Sequence, residues 1–219
     1  MSMNPGQGPN LPGVYTGYYP PQYGQYNTQF QGNIETIGWK WWDTQTFTSG
    51  TTTSLTQFFN VRATVDLSNM EVAFQLAAPK AFLIRAIRFF VKQRPQVVTT
   101  GTPLPATQAG AFDDVAQLIN TGVFQLTIGN KVYNLEPLWC LTAGGGAFGV
   151  LATGSTSSQS YAQSGIADPR AVNTLSKPLF IGPQINFTAQ ITWPATLTLT
   201  NGNPSICILM DGDLLRPVQ

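Results

Sequence analysis

The chain has 219 residues, a net charge of +1 and only 10% charged side chains, against about 25% in an ordinary soluble domain. Its length suits one large β domain or two small ones, and so weak a charge favours burial of outer surface against further copies of itself. The plainer alternative is an extracellular protein kept wet by Thr, Ser, Asn and Gln, and the lack of any histidine excludes Ser-His and Cys-His catalysis and His-ligated zinc.

Residues 1–33 carry no charged side chain, yet Tyr15, Tyr18, Tyr19, Tyr23, Tyr26 and Phe30 are spread among Gly, Pro, Gln and Asn. Such a segment buries too little apolar surface to fold alone. An extended arm is expected, ordering on a neighbouring subunit, a membrane surface or nucleic acid. Without Lys or Arg it lacks the charge of an ordinary nucleic-acid arm.

A single β domain is expected over residues 34–219. In the segment GWKWWD, Trp39 and Trp41 fall on one face of a strand, with Trp42 beside them. Three indoles together can stack a sugar; more commonly they cap a β core or fill a subunit contact. The Thr-rich run TFTSGTTTSLTQFF then leads into a strand ending near Val61.

Residues 79–98, PKAFLIRAIRFFVKQRPQVV, hold the strongest strand of the first half. Ile87, Phe89 and Val91 alternate with Arg88, Phe90 and Lys92 at period two. Lys80, Arg85, Arg88, Lys92 and Arg94 form the one charge cluster, suited to phosphates or, with so low a net charge, to the acids of a neighbouring subunit.

A Pro/Gly/Thr-rich loop over Thr99–Gly110 precedes Phe112–Asn120, the one expected helix, whose Asp113 and Asp114 suit the dipole of its first turn. Val123–Ile128 and Lys131–Leu135 flank Gly129-Asn130, which predicts a hairpin closed by a type II′ turn. The small, polar stretch Ala143–Gly165 is expected as a long loop. Within it Gly144–Gly149 matches G-x-G-x-x-G literally, but no helix is predicted to follow, as a dinucleotide site requires.

Toward the end, Leu179–Ile181, Phe187–Trp193, Leu197–Leu199 and Ile206–Met210 are short apolar runs. Asn201-Gly202 and Asp211-Gly212 are dipeptides suited to tight turns between them. The last residues, Leu214–Gln219, are expected in or against a sheet. Cys140 and Cys207 fall in predicted strands, where buried free thiols are the default and one disulfide is the alternative.

No set of residues carries chemistry. Asp211 and Asp213 flank a glycine without the further oxygen ligands of a calcium loop, and no carboxylate pair marks a glycosidase. Asn186-Phe187-Thr188 is a glycosylation sequon, relevant only to a secreted chain. No catalytic, cofactor-binding or metal-binding residue is assigned, and neither a cofactor nor an enzyme activity is expected. The sequence has no apolar stretch long enough to span a membrane, and no signal peptide is expected at its start.

The fold class is therefore all-β: about eight strands with long loops and one short helix, spaced for a sandwich or closed roll. The hairpin VFQLTIGNKVYNLEPL, the later PLFIGPQINFTAQITWP and the terminal LMDGDLLRPVQ resemble single jelly-roll capsid proteins of tailless icosahedral bacteriophages. The likeness extends over most of residues 34–219. It implies an eight-stranded jelly-roll sandwich, synthesis in the host cytoplasm and a place in the virion. It also implies an N-terminal arm reaching under a neighbour, with copies of itself and other capsid proteins as partners. A viral membrane or the genome is the partner implied on the inner face, and no small-molecule substrate. Two other readings stay open: a virion spike, decoration or receptor-binding protein, and a carbohydrate-binding β-sandwich module.

Overall fold

The computed structural model describes residues 34–92, 111–142, 147–153, 158–164, 174–199 and 203–217. The expected N-terminal arm, the Thr99–Gly110 loop and the Asn201-Gly202 turn lie outside the described residues.

Two four-stranded antiparallel sheets make up the domain. One runs β1 (Ile34–Thr46), β10 (Ser205–Pro217), β3 (Ala81–Lys92), β8 (Thr174–Ile181). The other runs β2 (Ser54–Phe58), β9 (Phe187–Thr192), β4 (Val123–Ile128), β5 (Lys131–Pro137). The pairs β1·β10, β2·β9, β3·β8 and β4·β5 are each antiparallel. With the sandwich strands alone counted in chain order, the first pairs with the last, the second with the last but one, and so inward. This is the pairing of one long hairpin folded across itself.

Period-two burial builds the core. Ile206, Ile208, Met210 and Leu214 of β10 point inward, toward Phe124, Leu126 and Ile128 of β4 and Phe187, Ala189 and Ile191 of β9, all buried. A fully buried side chain of this size stabilises the fold by roughly 2 kcal/mol.

The phase of β3 changes once. Phe82 and Ile84 are buried, then Ile87, Phe89 and Val91, so the inward set passes from even to odd numbers. Between them Gly212 of β10 faces Ile84 and Asp211 faces Ala86, leaving Arg85 unopposed. Arg85 is thus the extra residue of a β-bulge. The backbone closes on Gly212 so tightly that any Cβ there would collide with the Leu83 carbonyl. Asp211-Gly212, expected as a turn, therefore lies within β10. The glycine serves a close backbone approach, not a reversal.

Other expectations are corrected as well. The stretch Ala143–Gly165 contains a hairpin, β6 (Ala147–Thr153) paired with β7 (Ser158–Ser164), so ten strands are present among the described residues. Its small and polar residues lack the alternation that reveals a half-buried strand. Cys140 lies in a second short helix, α2 (Leu138–Leu141), in which Leu138 and Leu141 bury at a helical spacing of i and i+3. Leu197–Leu199 is a loop: the Leu197 carbonyl accepts from Gly50 and the Leu199 amide donates to Ser49 Oγ.

The expected helix is present as α1 (Ala111–Thr121), with Asp113 and Asp114 in its first turn. It docks through Val115, Leu118 and Ile119, and the Trp193 indole N–H donates to the Leu118 carbonyl at 3.1 Å. The β4–β5 hairpin closes as expected. Ile128 faces Lys131 across Gly129-Asn130, and Gly129 takes φ +59°, as the first position of a type II′ turn requires.

Candidate functional site

The tryptophans do not form one platform. Trp41 is 3% exposed in the core, while Trp39 is 41% exposed and meets it edge-on, ring centroids 6.0 Å apart. Trp42 lies on the opposite face of β1, its indole N–H donating to the Val65 carbonyl at 3.0 Å. Of the three, Trp39 alone presents a large exposed ring.

The basic cluster finds its partners within the chain. Arg88 pairs with Asp211 at 2.7 Å, Arg85 with Asp213 at 2.5 Å and Lys80 with Glu71 at 2.5 Å. Lys40 on β1 also reaches Asp211, at 3.9 Å, and Arg216 pairs with Glu35. The acids thus come from β10 and the loop before β3, where a neighbouring subunit's acids had been the expectation. Folding β10 against β3 brings together charges more than a hundred positions apart, which no local pattern can reveal. The Lys92 side chain and Arg94 lie outside the described residues. Asp211 and Asp213, so engaged, are occupied carboxylates, and among the described residues no group of His, Cys, Asp or Glu is arranged to hold a metal.

Sequence reasoning missed a buried ion pair. Asp43 has none of its side chain exposed, yet accepts from Arg62 Nε at 3.0 Å and Nη2 at 3.1 Å. It also accepts from the backbone N–H of Thr44 and Asn60. Arg62 Nη2 reaches on to the Gln57 carbonyl. The arrangement ties β1, the end of β2 and the following loop into one unit. A structural role accounts for it, since every acceptor is engaged inside the fold.

Beyond β1 the same loop covers the sheet edge. The Asn69 side chain accepts from the Trp42 backbone N–H at 2.9 Å and donates to the Lys40 carbonyl at 2.8 Å, imitating a neighbouring strand.

The opposite situation holds at β5. It is the last strand of its sheet, and Val132, Tyr133 and Leu135 are 54%, 51% and 64% exposed. Trp139, just beyond in α2, is also exposed. Sequence reading placed this hairpin without marking its edge. The available signal was apolar residues at 132, 133 and 135, which breaks period two and betrays a bulge: Leu126 faces Asn134 while Thr127 faces Val132, leaving Tyr133 as the extra residue.

Both cysteines are thiols, Cys207 buried in β10 and Cys140 half-buried. Desolvation, helped by the nearby Glu136 charge, pushes the Cys140 thiol above the ordinary range. In the G-x-G-x-x-G match, Ala147, Phe148 and Gly149 open a strand, and a dinucleotide site needs a helix there. The sequon has Asn186 and Thr188 exposed. No helix among the described residues is long and apolar enough to cross a membrane. Comparison with known proteins adds no relative: no family model, curated protein or solved structure matches the chain.

Proposed function

We propose that this chain is a self-assembling coat subunit of an icosahedral virion, built on a jelly roll and performing no chemistry. The observation that carries the reading is the strand order. Sheets β1-β10-β3-β8 and β2-β9-β4-β5 have the nested pairing obtained when one long hairpin is rolled into two sheets, the construction of jelly-roll domains in capsids, lectins and cupins. Among those, the coat is favoured by 10% charged residues, a surface suited to burial against copies. The scarcity of free ionisable groups on the described surface agrees with it.

Electron microscopy and sedimentation of the purified full-length chain test the proposal. Closed particles that grow in with protein concentration are expected. A monodisperse monomer at millimolar concentration would overturn it.

One observation favours a second reading, a glycan-binding spike or β-sandwich module: the exposed ring of Trp39 beside Trp41. Aromatic rings stack on sugar faces. That reading requires Trp39→Ala to abolish retention on a glycan array while the domain stays folded; an unchanged profile removes it.

A further inference from the structure

Each of the four edges of the two four-stranded sheets carries some feature that discourages pairing with another chain. β1 is capped at Lys40 and Trp42 by the Asn69 side chain. β8 carries Lys177 and Pro178, residues that blunt an edge. β2 is only five residues long, and its pairing is irregular between Leu55 and Phe58. β5 also carries Lys131, Pro137 and the Tyr133 bulge, but alone of the four it turns three large apolar side chains, Val132, Tyr133 and Leu135, to solvent. An exposed apolar edge invites strand addition.

The sequence of β5, Lys-Val-Tyr-Asn-Leu-Glu-Pro, is complementary to itself. Laid antiparallel about a two-fold axis between Tyr133 and Asn134, it sets Lys131 against the partner's Glu136 and Val132 against the partner's Leu135. The bulge makes the faces agree. Lys131 faces Ile128 and Glu136 faces Phe124 across the hairpin, both on the core side. Val132 faces Thr127 and Leu135 faces Gln125, both on the outer side. Without the extra Tyr133, residues five apart would point to opposite faces.

Charge supplies the second argument. Among the described cations with described side chains, all but Lys131 and Lys177 have a carboxylate within 4.0 Å. Lys131 sits exposed at one end of β5. Glu136 sits at the other and accepts from Asn134 Nδ2 at 2.7 Å. Each is the counter-charge the other lacks, and only a second copy brings them together.

We propose that two copies of this chain pair antiparallel along β5 in this register, joining their β2-β9-β4-β5 sheets into one continuous sheet across a two-fold axis. The contact is isologous, so each charge pair occurs twice. It deepens the coat reading by naming one of the self-contacts that reading requires, and rests on it only to that extent.

The test uses the full-length chain, Lys131→Glu, Glu136→Lys and the double swap, each checked for fold by circular dichroism. Sedimentation velocity at low salt measures the dimer, and microscopy records particles. Each single swap turns two attractive pairs into repulsive ones and is expected to raise the dimer dissociation constant about tenfold or more. The double swap is expected to recover most of that loss. Independently of charge, mixed Val132→Cys and Leu135→Cys chains in a Cys140→Ser background should cross-link faster than either alone. Equal association of all four charge variants, or failure of the double swap to recover in a folded chain, overturns the β5 contact. Particles that form alike from every variant overturn the contact and leave the coat reading standing. Charge-dependent dimers that never grow into particles uphold the contact and remove the coat reading. A wild-type chain that stays monomeric overturns both.

Discussion

Asp43 and Arg62 form a bidentate pair in which the carboxylate is wholly buried and the guanidinium less than a quarter exposed. Its weight lies in what remains if one partner goes. Arg62→Ala would leave a buried carboxylate held only by two backbone N–H groups, and Asp43→Ala would leave the guanidinium a single hydrogen bond, to the Gln57 carbonyl. Each is expected to cost about 3 kcal/mol. The double substitution should cost clearly less than the sum, because the stranded charge disappears with its partner. Urea denaturation midpoints of the three variants measure this, and strict additivity would show that the pair is not coupled.

Gly212 has a built-in control in Gly38. The two lie on neighbouring strands, but a Cβ at 212 collides with the Leu83 carbonyl whereas one at 38 meets nothing within 4 Å. Gly212→Ala is expected to destabilise by about 2 kcal/mol or more through forced backbone displacement. Gly38→Ala should be neutral or slightly stabilising. Thermal melts of both report the bulge directly, and equal melting temperatures would mean that the strands meet differently at Arg85.

The raised Cys140 thiol implies a pH dependence. Burial and, secondarily, the Glu136 charge favour the protonated form, so the stabilisation is in place at neutral pH. It is lost as pH rises from the unfolded thiol pKa toward the higher folded one. In a Cys207→Ser background, alkylation of Cys140 should be slower at pH 8 than for an unstructured thiol, and Glu136→Gln should accelerate it. A pH–rate profile unchanged by Glu136→Gln would show that the charge does not act on the thiol.

Asn69 guards the edge of β1 with two hydrogen bonds. Asn69→Ala is expected to cost about 1–2 kcal/mol and to speed hydrogen exchange at the Trp42 amide specifically. Unaltered protection of that amide would indicate that the loop holds the edge without the side chain.

Deletion of residues 1–33 should leave the sandwich folded, because β1 begins at Ile34 and the strands that follow supply the buried core among the described residues. On the coat reading the truncated chain should assemble poorly for want of the aromatic segment. Equal particle yields from full-length and truncated chains would dismiss a role for the arm.

Elements whose evidence is local were legible in the sequence: the period-two run of β3, the Gly-Asn hairpin of β4 and β5, and the acidic first turn of α1. Elements defined by distant partners were not. Asp211-Gly212 has turn chemistry, yet β10 runs straight through it because β1 and β3 pair on both sides and the glycine admits the Leu83 carbonyl. The β6–β7 hairpin has no alternation to reveal it. Arg85 and Arg88 looked like cations awaiting a neighbour until β10 brought Asp213 and Asp211 alongside. Sequence alone determined the β class and the alternation within uninterrupted runs such as Ile87–Val91, since side-chain alternation is fixed by the strand backbone itself. Tertiary structure decided the register, the bulges, the ion-pair partners and the place of β5 at a sheet edge, because each depends on which distant strand lies alongside.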